Sequence, residues 1–564
     1  MNVLSYGIPF DADFSPIALY RGQHDIRTLG SRDPMPPIFM HDHDYYFDLA
    51  SETFVQIIDR IAAEWRPDLF LCWFPEKMPP PLQIEDSPVP TVALVSDWGY
   101  RYASVEYNAG RFDLVLCDKP GLATLANPYV TPHSPFPLYA QKTPVHRKLD
   151  VPKDLDIVYI GALEPGMRPR RSRFLERIAR LSDRYSVFLG KGFDGEDYTR
   201  MLCRGRIVFN YCVRGELNLR VWETLACGSL LFVEDTNPEV RDYFEDGRDL
   251  VLYNSNNLEK KIAYYIEHGD EAEAIAARGL ARAPEFAGEN RFDTLIEWVA
   301  QQPGSGRRFR DLPEPDKAYH TLLLLGHSFL PSAQELETRL ADHYCRDHPE
   351  DSRGWAALGH VHASPYRHQQ GDAASRDRAL KALEEAYRLQ PRSAPHALNV
   401  ATLCRRTGRL AQEVEYLHAV LQGSTLEGDR LVVGHYDDEF WVRWIMALPE
   451  RRTTIDMLHA EAHIRLAENL EQRGVADGIV EHLVKALERD PGNTRGVALF
   501  ARALWAAGRS GEAVQLLQKY LPERPLDMNY RIQLARMLIG IGMDDESEAL
   551  VQETERIAAA CHVN

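Results

Sequence analysis

Up to about residue 300 the chain alternates short β-branched apolar runs with longer amphipathic stretches. The runs at 2–6, 69–73, 91–95, 114–117, 157–160, 187–189, 207–210 and 230–233 read as strands, and the stretches at 47–64, 171–181 and 219–226 read as helices. Strands separated by helices predict parallel α/β units. The segment 128–152 interrupts the alternation with prolines at 128, 132, 135, 137, 144 and 152 and reads as a hinge. Two α/β lobes are expected, at 1–140 and 150–300. The Gly/Pro-rich, polar stretch 301–315 opens an expected linker at 301–320, after which strand-like runs nearly vanish and helical periodicity runs through 321–560.

The helical half carries a repeat. Gly474, Gly508 and Gly542 are spaced by 34 residues, preceded at constant offsets by Leu466-Ala467, Phe500-Ala501 and Leu534-Ala535, and Pro491 and Pro525 keep the same spacing. A large and a small residue in the first helix, a turn glycine and a closing proline resemble the tetratricopeptide helix pair. The small residue lets adjacent helices approach, and the glycine takes the turn between them. Val400-Ala401 with Gly408 fits a further unit, and Leu358-Gly359 leading to Ala379, Ala386 and Pro391 fits another with an insertion around 368–376. A stretch at 423–454 breaks the register and places Tyr436, Phe440, Trp441 and Trp444 close together, as solenoid core or as a partner-docking surface.

A chain of 564 residues is long enough for three or four domains. Hydrophobic residues at 45% and charged ones at 26% match a globular protein and exclude disordered and fibrous classes. Lys plus Arg number 65 against 83 Asp plus Glu, a net charge of −18, which argues against wrapping nucleic acid or lying on an anionic membrane but leaves room for a local basic site. No apolar run is long enough to insert in a bilayer, and the first residues lack a basic-then-apolar pattern, so a cytoplasmic location is expected. The cysteines at 72, 117, 203, 212, 227, 345, 404 and 561 show no CxxC pairing, as expected of buried reduced thiols.

Candidate chemistry concentrates in the second lobe. The strand at 157–160 ends in Gly161 and is followed by a loop with Arg168, Arg170, Arg171 and Arg173 that opens a helix. Such a helix start offers N–H groups and guanidinium forks to a phosphate, or is simply a solvated basic surface. Lys191 follows the next strand. Asn218, Arg220 and Glu223 sit at the start of the helix at 219–226, with Arg220 and Glu223 on one face. An arginine there can grip phosphate while a carboxylate accepts hydrogen bonds from vicinal ribose hydroxyls. In the first lobe, Gly7 ends the first strand, and Asp97 ends another, where it is a catalytic candidate that acts as a base or positions an acceptor hydroxyl, or else caps a loop. His133 in the hinge is an acceptor-side candidate. His41-Asp42-His43-Asp44 lacks a distant third ligand, and Asp11-Ala12-Asp13 comes too early to serve a nucleotide unit, so no metal site is assigned.

The run 218–232 (NLRVWETLACGSLLF), with 160–179 (IGALEPGMRPRRSRFLERIA) upstream and 239–268 downstream, resembles the nucleotide-binding lobe of CgeB-like, spore-maturation-protein-like glycosyltransferases, relatives of the group 1 retaining enzymes. The resemblance covers about residues 155–285. It implies a GT-B fold of two Rossmann-like lobes, a nucleoside-diphosphate-sugar donor bound mainly by the second, an acceptor facing the first, and transfer without cofactor or required metal. Carried over, Glu223 matches the donor-ribose glutamate, Arg220 the arginine after the Asn/Leu pair, and Arg171 the basic residue opening the lobe's first helix. Two departures stand out: Gly215 occupies the place of the group's earlier glutamate, with Glu216 one position off, and Ala162 replaces the basic residue after the first strand, so Arg168, Arg170 or Arg171 must supply that charge.

The expected fold class is therefore α/β GT-B followed by an all-α tetratricopeptide solenoid. The leading functional reading is sugar transfer from a nucleotide sugar to an acceptor, with a protein acceptor or partner recruited by the repeats. A non-catalytic repeat protein with a degenerate transferase module and a nucleotide-sugar epimerase are the alternatives.

Overall fold

The computed structural model describes residues 1–7, 20, 22–33, 42–75, 78–95, 98, 105, 108–124, 145–163, 169–213, 215–302, 308–326, 330–363, 373–426, 431–433, 442–444, 447–448, 451–452 and 454–562. The first lobe contains strands β1 (Asn2–Tyr6), β2 (Asp25–Ser31), β3 (Tyr45–Phe47), β4 (Leu69–Trp73), β5 (Thr91–Leu94) and β6 (Leu114–Leu116), with helices α1 (Phe54–Ala62) and α2 (Lys119–Thr124). The strands form one sheet in the order β3-β2-β1-β4-β5-β6, parallel throughout. Helix α1 starts where the pattern says it should: the Thr53 hydroxyl accepts from the Gln56 N–H, and the Gln56 side chain accepts from the Thr53 N–H. Its apolar stripe Phe54, Ile57, Ile58 and Ile61 is buried against the sheet.

The second lobe contains β7 (Leu155–Ile160), α3 (Pro169–Ala179), β8 (Val187–Gly190), α4 (Gly195–Arg204), β9 (Gly205–Phe209), α5 (Leu219–Cys227), β10 (Leu230–Glu234), α6 (Val240–Tyr243), β11 (Val251–Tyr253), α7 (Leu258–Glu267) and α8 (Gly269–Arg282), followed by α9 (Gly288–Gln301). Its sheet runs β11-β10-β9-β7-β8, again parallel. The chain goes from β7 outward to β8 and then crosses back to β9, so strand order reverses between β7 and β9. Ligands of open α/β sheets bind outside the strand carboxyl ends at such a reversal.

The helical half comprises α10 (Glu314–Leu325), α11 (Pro331–Asp347), α12 (Ser352–Ala363), α13 (Ala373–Leu389), α14 (Ala394–Arg406), α15 (Leu410–Gln422), α16 (Ile455–Gln472), α17 (Ile479–Arg489), α18 (Thr494–Ala506), α19 (Ser510–Tyr520), α20 (Met528–Gly540) and α21 (Asp544–Ala560). Short strands β12 (Leu431–Val433), β13 (Val442–Trp444), β14 (Ala447–Leu448) and β15 (Arg451–Arg452) lie in the register-breaking stretch, and β16 (Cys561–His562) follows α21. Gly408, Gly474, Gly508 and Gly542 all take left-handed φ values of 67–79° between paired helices, the reason the period is marked by glycine. The expected fold class is the one observed: two parallel α/β sheets followed by tetratricopeptide-like hairpins. Part of the stretch read as a linker is helical, since α10 begins at Glu314. Tyr436, Phe440 and Trp441 lie outside the described residues.

The chain divides into two compact units, and the division cuts the helical half. One unit joins residues 23–138 and the first residues to 297–490, and Leu325, Leu330, Ala333 and Leu336 belong to the same core as Leu4, Phe54 and Phe70. The other joins residues 139–296 to 491–564, and Leu526, Ile557 and Ala560 belong to the same core as Ile157, Leu175 and Phe232. There β16 pairs in parallel with β8 and becomes the edge strand of the second sheet. All eight cysteines are free thiols, seven of them buried and Cys561 partly so.

Candidate functional site

The second sheet's reversal point gathers Gly161, Arg171, Arg220 and Glu223. Strand β7 delivers Tyr159, fully buried, then Gly161. Arg220, the second residue of α5, reaches back to this strand end: Nη1 donates to Asn210 Oδ1 at 2.9 Å and Nη2 donates to the Ile160 carbonyl, bridging the ends of β7 and β9. Its guanidinium lies 4.5 Å from the Tyr159 ring centroid. Arg171, in the first turn of α3, donates through Nη2 to the Ala162 carbonyl and lies 5.7 Å from the same ring. Two guanidiniums thus share one aromatic ring, an arrangement cation–π attraction supports. Gly161 is required by space, because a Cβ there would collide with the Arg220 guanidinium and approach the Tyr159 hydroxyl.

Burial works against the Arg220 charge, but the Tyr159 and Tyr198 hydroxyls and the Glu223 carboxylate around it hold its pKa above the ordinary value. Arg220 Nε and Asn218 Oδ1 are buried and have no partner among the described residues. Both stand at the N-terminus of α5, where helix N–H groups and dipole favour an anion. A donor in want of an acceptor at an anion-favouring helix end suits a phosphoryl oxygen.

Glu223 lies one turn further along α5 and is buried. Tyr198 Oη, from α4, donates to its Oε2 at 2.6 Å, and His146 Nε2 is 3.6 Å from its Oε1. The His146 and Tyr198 rings pack edge to face at 6.0 Å. Burial, reinforced by the Glu223 charge, pushes the Tyr198 hydroxyl well above its usual pKa, so it stays a proton donor to the carboxylate. Neither Tyr198 nor His146 is marked by spacing, and both come to Glu223 only through the packing of α4 and the end of the hinge segment.

The loop leading into α5 hangs on two buried carboxylates. Glu234, at the end of β10, accepts the Cys212 N–H through Oε1 at 3.0 Å, and Glu239 accepts the Leu217 N–H at 3.0 Å. Burial raises the Glu234 pKa to about 8 despite hydrogen bonds that favour the anion, and nearby Glu216 adds to the rise. Gly215 in this loop has φ 86°, a conformation a glutamate would adopt only under strain. The departure from the group 1 pattern is therefore built into the backbone here. Glu216 is itself buried beside Glu234.

Of the remaining candidates, Arg170 on α3 and Lys191 after β8 are solvent-exposed. Arg168, Asp97, His133, His41, Asp11 and Asp13 lie outside the described residues. In the other unit, Gly7 has φ 76° and packs so closely on β4 that a Cβ would meet the Trp73 carbonyl. Asp44 accepts hydrogen bonds from the N–H and hydroxyl of Thr28, which ties that loop to β2. Among the described residues no group of three or more His, Cys, Asp or Glu side chains could hold a metal ion, and no helix is long and apolar enough to cross a membrane.

Residues 170–297 match the glycosyl transferase-like family, and residues 470–537 match the tetratricopeptide repeat. No curated protein matches the chain. Similar solved structures include sucrose-phosphate synthase from Thermosynechococcus elongatus, with 11% identity over 53% of this chain and 99% of that one at a TM-score of 0.37. They also include YrrB, a TPR protein with an unusual peptide-binding site, with 11% identity over 38% and 91% at 0.28. MamA from Desulfovibrio magneticus is a further one, with 14% identity over 36% and 96% at 0.26. The chain thus combines a glycosyltransferase-like domain, whose matched segment contains Arg171, Arg220 and Glu223, with a tetratricopeptide-repeat region of the kind that engages proteins.

Proposed function

We propose that the protein transfers a sugar from a nucleoside-diphosphate sugar to a polypeptide acceptor that its repeats recruit. The observation that carries this reading is the pair of guanidiniums at Tyr159, with Arg220 Nε unpartnered at the N-terminus of α5. In the transfer, the bond from the anomeric carbon to the β-phosphate oxygen breaks, its electron pair leaves with the diphosphate, and the acceptor hydroxyl bonds to the anomeric carbon as its proton passes to the Asp97 carboxylate. The leaving diphosphate gains charge, and preorganised arginines stabilise that charge more than they stabilise the ground state. Arg171 and Arg220 fill this role, Glu223 accepts from the ribose hydroxyls, and Arg168, Arg170 and Lys191 add positive potential. Gly7 and His133 belong to the acceptor side, and Asp97 is the catalytic residue. Retention of configuration, independence of metal and cofactor, and membership of the CgeB-like group follow from the resemblance of residues 155–285.

A second reading, a repeat protein with an inactive transferase module, is favoured by Gly215 at the earlier glutamate's place and by the engagement of Glu223 with Tyr198 and His146. The two separate on one experiment. Purified protein is incubated with UDP-, GDP-, CDP- and dTDP-sugars, and release of the nucleoside diphosphate is followed with and without protein acceptors. Transfer requires release from at least one donor; thermal stabilisation by a nucleotide without release points to the inactive module. The absence of both release and thermal stabilisation with every nucleotide sinks the enzyme reading, and sugar interconversion without an acceptor would mark an epimerase.

A further inference from the structure

Helix α3 presents its first turn, with Arg171, to Tyr159, and along another face it meets the terminal repeats. Arg173 and Glu176 share one face of α3 three residues apart, and Arg180, in the 3-10 turn directly after the helix, reaches back to Glu176 Oε1 at 2.8 Å. Arg173 pairs with Glu523, and Arg180 Nε lies 2.8 Å from Glu553. Glu176 takes the central place: its Oε2 accepts the Leu526 N–H at 2.7 Å and its Oε1 accepts from Arg531 Nη2 at 2.8 Å. Arg531 Nη1 also donates to Glu553 at 2.9 Å. Arg531 is completely buried and the Glu176 side chain is 8% exposed.

Adhesion alone does not call for this charge. Leu526, Ile557 and Ala560 already lie in the lobe's core, β16 already extends its sheet, and the His562 ring stacks on Phe188 at 4.4 Å. Nor does the repeat call for it, because the residue 34 positions earlier, Val497, is apolar and buried. A buried ion pair adds little adhesion over apolar packing, but it is directional, and fixing register is its best-attested use.

We propose that Glu176 and Arg531 are positioning residues: the terminal repeats, through this pair, fix the rotation and register of α3 and so hold Arg171 in place for the donor diphosphate. The inference rests on the nucleotide-sugar reading of the Tyr159 site. It makes the last two helix pairs a working part of the donor lobe as well as of the repeat array.

The test uses the full chain, with UDP, GDP, CDP and dTDP as probes in titration calorimetry, and thermal unfolding measured alongside. Arg531→Met is expected to weaken nucleotide binding by roughly fivefold or more and to lower the unfolding temperature. The double variant Glu176→Gln/Arg531→Met, which removes the buried carboxylate facing the vacated Arg531 place and leaves Arg180 paired with Glu553, is expected to recover the unfolding temperature but not the affinity. Should Arg531→Met fail to fold, Glu176→Gln, which keeps an acceptor for the Leu526 N–H, is expected to show the affinity loss alone. Donor hydrolysis is expected to show a lowered kcat along with a lowered kcat/KM, because Arg171 stabilises the charge of the departing diphosphate, and Ile539→Ser, at an exposed position on α20, is expected to change neither. If affinity follows the unfolding temperature in every variant, or does not change in any, the pair is structural only and the inference falls. If the unaltered protein binds none of the four nucleotides, the nucleotide-sugar reading falls and takes the inference with it.

Discussion

Replacing Glu234 by glutamine is expected to flatten one component of the pH dependence of stability. The carboxyl is buried at the end of β10 and its folded-state pKa is pushed up to about 8, against 4.5 for the ordinary group. Between those values the folded chain holds a proton at this site that the unfolded chain has released. Stability therefore falls as pH rises, by about 1.4 kcal/mol per pH unit, or about 2 kcal/mol from pH 5.5 to pH 7. Below pH 4.5 both states are protonated and above pH 8 both are ionised, so the component is flat outside the window. Glutamine keeps an oxygen for the Cys212 N–H and cannot ionise, so the variant gains on the unaltered protein as pH rises through the window. Urea denaturation at half-unit pH steps, with stability taken from midpoint and slope, reads this directly. Curves for the two proteins that run parallel from pH 5.5 to pH 7 would refute the reasoning, because they would mean that Glu234 is ionised when folded. Ionisation above pH 8 also sets a second negative charge beside Glu216 in the loop that leads to Arg220, and nucleotide affinity is expected to decline there.

Three further outcomes follow from particular contacts. Tyr198→Phe removes the hydroxyl that donates to Glu223 at 2.6 Å, leaving a buried carboxylate oxygen short of a donor; a loss of about 1–3 kcal/mol is expected in denaturant unfolding, and an unchanged midpoint contradicts it. Arg220→Lys keeps the charge but loses both Nε and the fork that spans Ile160 and Asn210, so nucleoside-diphosphate affinity is expected to fall about tenfold or more in calorimetry; equal affinity for the two proteins counts against Arg220 Nε as a donor to the diphosphate. Gly508→Ala costs only backbone strain, about 1 kcal/mol, because φ is 74° and a Cβ meets nothing within 4 Å. Gly359→Ala drives a Cβ into Leu383 and is expected to lower the unfolding temperature more; the reverse order in thermal scans refutes the contact argument.

What could be read from the chain was what is local. The 34-residue period survives because each repeat needs a left-handed glycine between its helices, and Gly408, Gly474, Gly508 and Gly542 meet that need residue by residue. Arg171, Arg220 and Glu223 are legible as candidates because the starts of α3 and α5 carry them, next to strand ends. Tyr198 and His146 were not, since each reaches Glu223 from a different element and no spacing encodes that meeting. The division of the helical half was hidden for the same reason: the repeat period continues without a break from Gly474 to Gly542, while compactness separates residues 491–564 from those before them. One trace of that division is nevertheless written in the sequence. Within a periodic array the informative position is the one that departs from the period, and Arg531, standing where the previous repeat has Val497, is a charge in an apolar slot. Such a charge demands a buried counter-charge, and Glu176 of the second lobe supplies it alongside Glu553 of α21.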